Sequence, residues 1–226
     1  MIYRNYGKGT EQVSVIGFGG MRFNNQRNVE ACAGLVRSAY EAGITYFDTA
    51  PNYGKSEELF GVAFKEMNKT RKERPFYVAT KSLRAEPSAI RKDLEQSLRR
   101  MNLETIDFYH VWCVMSLQDY NNRKAKGALR EFERLHQEGL IRHICLSSHM
   151  KGEEVETVLQ DFPFAGVLLG YSAMNFSYRE KAVEAAARIG AGVVVMNPLG
   201  GGLIPQHPDR FAFLRTRENE TVDRKS

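Results

Sequence analysis

Four polar residues of types that can reduce a carbonyl group stand at or just beyond the ends of three consecutive predicted strands. They are Asp48, Tyr53, Lys81 and His110. Hydride transfer to a ketone or aldehyde carbon leaves an alkoxide that needs a proton. A phenol can supply that proton, and its pKa, ordinarily about 10, falls when an ammonium group lies nearby.

The residue types suggest one role for each side chain. Tyr53 would donate the proton, Lys81 would supply the positive charge beside it, and Asp48 would orient and neutralise Lys81. His110 would form a hydrogen bond with the substrate oxygen. Each residue alone has a structural explanation, since a strand-end lysine is usually at the surface and a lone tyrosine or histidine is usually packed. Their recurrence on neighbouring strands favours a common site.

The apolar pattern alternates between short buried runs and helical spacing, which is typical of a parallel sheet covered by helices. The predicted helices include one whose apolar face carries Cys32, Leu35, Val36 and Ala39, and one for which Ser56 is the predicted N-cap. Glycines at 43, 139 and 190 are expected to end helices. The predicted strands span residues 13–17, 45–48, 76–81, 106–111, 143–147, 165–169 and 192–196.

Two architectures fit this alternation, an open doubly wound sheet and a closed barrel. A dinucleotide-binding open sheet normally carries GxGxxG after its first strand, but residues 17–23 lack the third glycine. Ionisable residues recur at the carboxyl ends of the strands, where barrel active sites are built. The sequence therefore predicts an α/β chain with a (β/α)8-type TIM barrel over residues 1–226, apparently truncated after the seventh strand and incomplete at the C-terminus.

Composition places few other constraints on function. The 226 residues are 42% hydrophobic and 26% charged, with a formal net charge of +5, as in ordinary globular proteins. No apolar run approaches the roughly 20 residues of a membrane span, so a cytoplasmic location without membrane contact is expected. The basic residues form no stripe, and the three cysteines are far apart. Neither nucleic-acid binding nor a metal site is therefore expected.

Several segments that carry these residues resemble the aldo-keto reductase family. They are residues 43–57, which contain Asp48 and Tyr53, residues 78–81 with the lysine, residues 107–110 with the histidine, and residues 141–149. The resemblance extends from about Tyr3 to Leu203. It implies reduction of a small-molecule aldehyde or ketone by NADPH or NADH, without a metal. The cofactor-binding residues expected from it are Gly20, Met21, Ser147, Ser148, Met196, Pro198, Leu199, Gly200 and Gly201.

The sequence departs from the family pattern around the expected nicotinamide. Ser147 and Ser148 stand where the family usually has Ser-Asn, and residues 168–171 lack a glutamine that is frequent on the sixth strand. Met196 replaces an aromatic residue that often stacks on the nicotinamide. This resembles a branch with Met-x-Pro-Leu on the seventh strand, some members of which carry an iron-sulfur segment whose cysteines are not found here.

The C-terminal region is short for this family. About two dozen residues follow Gly200 to Gly202, with one predicted helix around Arg210 to Arg217 and no sequence resembling an eighth strand and helix. Residues 13–16 and 193–196 would then line an open edge of the barrel. Open edges favour pairing with another chain, which predicts either a homo-oligomer that covers the edge or a marginally stable monomer with weak cofactor affinity.

Two other kinds of function remain open. One is a non-catalytic aldo-keto-reductase-like subunit with a binding or regulatory role and impaired cofactor binding. The other is an unrelated barrel enzyme such as a lyase or isomerase. Quenching of Trp112 fluorescence by NADPH would distinguish a cofactor-binding reductase from these alternatives. Trp112 lies two residues after His110, near the expected nicotinamide.

Overall fold

A computed structural model describes residues 1–214 of the chain. It contains a seven-stranded parallel sheet in which each strand pairs with the next one along the chain. An antiparallel hairpin, β1 (Tyr3–Asn5) and β2 (Gln12–Ser14), precedes the sheet. The parallel strands are β3 (Phe18–Gly19), β4 (Tyr46–Asp48), β5 (Tyr77–Ser82), β6 (Ile106–Val114), β7 (Ile141–Ser148), β8 (Gly166–Gly170) and β9 (Gly192–Met196).

Helices follow the parallel strands and cover one face of the sheet. Their ends match local sequence signals, since Pro87 opens α3 and the left-handed Gly190, with φ of 70°, ends α7. The helices are α1 (Val29–Glu41), α2 (Ser56–Met67), α3 (Pro87–Met101), α4 (Leu117–Ala125), α5 (Ala128–Gln137), α6 (Gly152–Asp161), α7 (Phe176–Ile189) and the short α8 (Leu203–Gln206).

Alternate residues of each strand enter two separate apolar layers. On β6, Tyr109 joins the outer layer between sheet and helices, whereas Phe108 joins the inner layer enclosed by the curled sheet. The inner layer also contains Tyr46, Ala79 and Cys145. Two buried faces and strictly sequential parallel pairing define a TIM-barrel-like α/β fold, which confirms the predicted fold class. Over residues 1–214 the sheet has seven strands, with β3 and β9 at its edges.

The N-terminal hairpin closes the amino end of the barrel through Tyr6. The buried Tyr6 ring packs at a tilt against Phe108 with ring centres 4.0 Å apart, and its hydroxyl lies 3.5 Å from Cys145 Sγ. A Cβ on Gly166 would lie 2.0 Å from the Tyr6 hydroxyl, and one on Gly192 would lie 2.7 Å from the ring. These two strand positions therefore require glycine because the tyrosine ring occupies the side-chain space.

The structure corrects the predicted first strand. Residues 13–17 do not enter the parallel sheet: Val13 pairs with Arg4 in the hairpin, and Val15 and Ile16 are exposed. Ser14 forms two hydrogen bonds, of 2.8 and 2.9 Å, with Thr45, the residue that precedes β4. The first parallel strand is β3, so β3 and not residues 13–16 forms one edge of the sheet.

Several helix predictions are also corrected. Leu35 is exposed, although Cys32 and Val36 on the same helix are buried. Ser56 is the first residue of α2, and the N-cap position is occupied by Lys55. The Ser56 hydroxyl bonds to Thr49 Oγ1 at 2.7 Å. The helix expected around Arg210 to Arg217 lies partly outside the described residues. Within them, residues 208–211 form turns and Ala212–Leu214 a 3-10 helix. In residues 1–214 no helix is long and apolar enough to cross a membrane.

Candidate active site

The centre of the candidate site is an ion pair between the ends of two adjacent strands. Lys81 on β5 is fully buried, and its Nζ lies 2.7 and 2.8 Å from the two carboxylate oxygens of Asp48 on β4. A third bond, of 2.6 Å, goes to the Thr49 carbonyl oxygen. All three ammonium protons therefore have acceptors, which offsets much of the cost of burying the charge. Burial lowers the pKa of Lys81 and raises that of Asp48, while their mutual attraction opposes both shifts.

Tyr53 lies beside this pair, on the loop that connects β4 to α2. Lys81 Nζ is 5.3 Å from the centre of the Tyr53 ring. The tyrosine is half-buried, and burial, followed by the charge of Asp48, raises its pKa above the ordinary value. The expectation that Lys81 lowers this pKa is not met in this arrangement, because Asp48 compensates the ammonium charge and the ammonium protons point to Asp48 and Thr49.

His110 lies next to Lys81 on the following strand. Lys81 and His110 are register partners in the pairing of β5 with β6, so both side chains lie on the inner face. His110 is fully buried, and its Nδ1 donates to the Thr80 carbonyl oxygen over 3.3 Å. Burial, with the charge of Lys81, lowers the pKa of His110 to about 3. The ring is therefore neutral, and its Nε2 carries a lone pair and has no bonding partner among residues 1–214.

The two serines at the end of β7 lie on opposite faces of the sheet. Ser147 is paired with Leu168 on β8, and Leu168 is paired with Val194 on β9. Val194 packs against the inner layer, so Ser147 faces the inside of the barrel. Ser148 faces outward, where its hydroxyl donates to the Val114 carbonyl over 3.1 Å and accepts from Met150 N at 3.0 Å. The Ser148 side chain thus already has structural partners, which leaves Ser147 as the hydroxyl directed into the barrel.

The other predicted cofactor residues lie at the carboxyl ends of β3 and β9. Gly20 is buried, and a Cβ there would lie 2.3 Å from both Phe60 and Ser56, whereas the neighbouring Met21 is exposed. Met196 is the last residue of β9 and follows the inward-facing Val194 by two positions. The turn after Pro198 and Leu199 contains Gly200 and Gly201, both left-handed with φ of 62° and 70°.

Two cavities of about 550 Å³ lie away from the Lys81–Asp48 pair. One is at the amino end of the barrel, beside Tyr6 and His143. The other is an apolar groove against the outer face of β9, lined by Val195, Pro198 and Phe213 among others. Across residues 1–214 no group of three or more histidine, cysteine or acidic side chains is arranged to hold a metal ion.

Sequence reasoning missed three features of the site. The Thr49 carbonyl, which accepts the third Lys81 bond, is a backbone group and has no sequence signal. Trp112 packs edge-on against Tyr53 with ring centres 5.7 Å apart. Helix α4 also escaped prediction, although Ser116, whose hydroxyl accepts from Asp119 N at 3.1 Å, is an N-cap residue that could have indicated it.

Comparison with known proteins agrees with this fold. The family model of the aldo/keto reductase family matches residues 15–222. The chain therefore belongs to the aldo/keto reductase family.

Individual relatives are distant. The chain is 26% identical to "Probable aldo-keto reductase 1" of Glycine max, covering 84% of this chain and 57% of that protein. It is 27% identical to "Aldo-keto reductase yakc [NADP(+)]" of Schizosaccharomyces pombe, covering 90% and 64%. The chain thus spans less than two thirds of the length of these two relatives. The structure of aldo-keto reductase AKR11C1 from Bacillus halodurans (holo form) shares the fold, with a TM-score of 0.79, 23% identity and coverage of 98% and 79%.

Proposed function

We propose that this oxidoreductase reduces an aldehyde or ketone to an alcohol with NADPH or NADH, with Tyr53 as the proton donor. The observation that carries the proposal is the buried Lys81–Asp48 pair, which lies 5.3 Å from the Tyr53 ring centre at the carboxyl ends of parallel strands. This is the end of a barrel at which catalytic groups are found.

The raised pKa of Tyr53 is compatible with proton donation. An alkoxide is a stronger base than a phenolate, so transfer from Tyr53 to the developing alkoxide is downhill even though burial and Asp48 raise the phenol pKa. Lys81 is the cation beside the phenolate that remains and favours its charged form, against burial and the charge of Asp48, which disfavour it. In this assignment Asp48 holds the Lys81 ammonium in place.

His110 takes a role that follows from its tautomer. Because Nδ1 donates to the Thr80 carbonyl, the lone pair on Nε2 can accept a hydrogen bond from the alcohol hydroxyl but cannot donate one to a carbonyl. We assign His110 to binding of the substrate oxygen once that oxygen carries its proton. The ring is fully buried and its Nε2 has almost no accessible surface, so this contact requires the substrate oxygen to displace the atoms that cover Nε2.

The residues at the ends of β3, β7 and β9 fit a dinucleotide. When bound, NADPH or NADH supplies the hydride. Gly200, Gly201 and Gly202 are all left-handed and form a tight turn after β9, in which the N–H groups of Gly200 and Gly202 donate to the Asn197 and Leu199 carbonyls. We assign the nicotinamide amide to Ser147, the nicotinamide ring to Met196, the phosphates to Leu199, Gly200 and Gly201, and further contacts to Gly20, Met21 and Pro198. Ser148 would support the β7 end through its backbone contacts. The name of the S. pombe relative includes NADP(+).

The decisive experiment is a titration with NADPH and NADH, followed by a panel of aldehydes and ketones monitored by cofactor absorbance. We expect saturable cofactor binding that quenches Trp112, and turnover of at least one carbonyl. Binding without any turnover would favour the non-catalytic binding or regulatory subunit instead. Absence of both would contradict the proposal. The mass in solution, measured on the same sample, tests the prediction of a homo-oligomer at the open sheet edge.

A further inference from the structure

The strand that carries His110 contains a β-bulge directly after it. Between the register positions Val111 and Val114, β6 has two residues where β7 has one. The two residues are Trp112 and Cys113, and Cys113 is left-handed with φ of 56°. This conformation is unfavourable for a residue with a Cβ, and it persists only where surrounding contacts hold it.

The bulge brings two side chains to the mouth of the barrel. Val111 and Val114 both point into the outer layer, so the two residues between them share the opposite side, whereas a regular strand would place only one there. Trp112 accordingly packs edge-on against the Tyr53 ring at 5.7 Å. Cys113 is close enough to be one of the groups that raise the pKa of Tyr53. The bulge therefore forms a wall beside Tyr53.

One side chain of α4 holds the bulge. Arg123 is only 7% exposed, and its Nη1 donates to the Trp112 carbonyl oxygen over 2.7 Å. Its Nε and Nη2 each donate to a carboxylate oxygen of Asp119 at 2.9 Å. Asp119 in turn accepts from Met115 N at 3.3 Å. The pair thus binds the backbone on both sides of the left-handed Cys113.

We propose that Arg123 is a positioning residue for Tyr53, acting through the bulge at Trp112 and Cys113. The proposal rests on the proposed role of Tyr53 as proton donor. The planar guanidinium reaches the Trp112 carbonyl and both Asp119 oxygens at once, which a lysine ammonium on a flexible chain does not reproduce. Without it, the strained backbone at Cys113 loses the contact that opposes its relaxation, and Trp112 moves away from Tyr53.

The chain offers a direct reporter, because Trp112 is its single tryptophan. We would compare Arg123→Met and Arg123→Lys with Arg179→Met as a matched control. Arg179 is also 7% exposed and donates to two strand-end carbonyls, those of Ser148 and His149, on the neighbouring strand. Emission maximum, acrylamide quenching and urea unfolding are measured for each variant, together with kcat and KM for carbonyl reduction.

Arg123→Met should shift Trp112 emission to longer wavelength and increase its quenching, with Arg123→Lys intermediate and Arg179→Met unchanged. Its kcat should fall by about tenfold to a hundredfold with little change in KM, because a displacement of about 1 Å at a catalytic group costs up to about a hundredfold. Unchanged emission in a folded Arg123 variant overturns the proposal, and so does shifted emission with wild-type kcat. If Arg123→Met does not fold, Arg123→Lys decides by the same criteria.

A second comparison separates this proposal from the proposed function. In the wild-type chain Tyr53→Leu should shift Trp112 emission, since it removes the ring contact, whereas in the Arg123→Met background it should add little. This test needs no turnover. A chain that reduces no carbonyl would contradict the proposed function, and the emission data would still decide whether Arg123 holds Trp112 against Tyr53. Equal shifts in both backgrounds would overturn the assignment.

Discussion

The Nζ of Lys81 lies 5.3 Å from the centre of the Tyr53 ring, while its three short hydrogen bonds go to Asp48 and Thr49. The ammonium therefore lies beside Tyr53, yet its charge is compensated by the adjacent Asp48 carboxylate. Burial and Asp48 accordingly raise the pKa of Tyr53, so the phenol keeps its proton until an acceptor as basic as an alkoxide forms beside it.

Tyr53→Phe removes the proposed proton donor and keeps the aromatic contact with Trp112. We expect turnover to fall by about 10² to 10⁴, as is usual for loss of one general acid, while the NADPH dissociation constant changes little. Steady-state kinetics and a cofactor titration on the same preparation measure the two quantities.

Tyr40→Phe is the matched control for that substitution. Tyr40 is buried and donates to the Arg74 carbonyl over 2.6 Å, on the outer side of the sheet. Its loss should lower the free energy of unfolding by about 1 kcal/mol and leave kcat at the wild-type value. A Tyr53→Phe enzyme as fast as Tyr40→Phe would remove Tyr53 from the mechanism.

Lys81→Met leaves the buried Asp48 carboxyl without its cation. Burial already raises the pKa of Asp48, and losing Lys81 removes the main influence that lowers it. The folded-state pKa then lies above the unfolded value of about 3.9. The folded state holds a proton that the unfolded state has released, so the free energy of unfolding falls as the pH rises above about 4.

Urea unfolding of Lys81→Met at acidic and neutral pH measures this effect. Removing one partner of a buried ion pair lowers the free energy of unfolding by about 3–5 kcal/mol when the remaining charge cannot be neutralised. The double variant Lys81→Met/Asp48→Asn should recover much of the loss at neutral pH, because no buried charge remains. A single variant whose loss is independent of pH would show that Asp48 is not left as a buried acid.

The architecture of the site could be predicted from sequence, because the carboxyl ends of parallel strands lie at the same edge of the sheet. Alternate residues of each strand point to the same face. By this logic Asp48, Lys81 and His110 are expected at the same edge of the sheet. It failed where tertiary contacts override local pattern. The apolar run from Val13 to Ile16 resembles a buried strand, yet its contacts with Arg4 and Thr45 place it in a hairpin.

The functional detail that escaped prediction depends on register. Ser147 and Ser148 are chemically identical, and only the pairing of β7 with β8 shows that the first faces the barrel interior. Likewise Trp112 and Cys113 point to the mouth because β6 has one extra residue, which the sequence does not reveal. Backbone acceptors such as Thr49 O carry no signal in residue type.

The two serines provide a matched pair of substitutions. Ser147→Ala should weaken NADPH binding by about tenfold, the loss of one hydrogen bond of about 1–1.5 kcal/mol, with little effect on the free energy of unfolding. Ser148→Ala should instead lower the free energy of unfolding, because its hydroxyl joins Val114 O to Met150 N. Calorimetric titration and urea unfolding of both variants give the comparison. The reverse pattern would reassign the cofactor contact to Ser148.

His110 should make stability depend on pH in the acidic range. Its folded-state pKa is about 3 because of burial and the charge of Lys81, whereas an unfolded histidine has a pKa of about 6.5. Between these values the unfolded chain binds a proton that the folded chain excludes. The stability contributed by neutral His110 is thus complete above about pH 6.5 and is lost as the pH falls towards 3, by up to about 1.4 kcal/mol per pH unit.

His110→Asn removes the titrating ring, and an asparagine amide can still donate to the Thr80 carbonyl. We expect the variant to be less stable than wild type at neutral pH because the smaller side chain leaves a cavity. Its loss of stability between about pH 6.5 and pH 4.5 should nevertheless be smaller than that of wild type. The control is His136→Asn, which removes a histidine with a similar bond, 3.2 Å from Nδ1 to the Ile141 carbonyl, and retains His110. If His110→Asn and His136→Asn lose stability equally on acidification, a buried neutral His110 is not the source of the pH dependence.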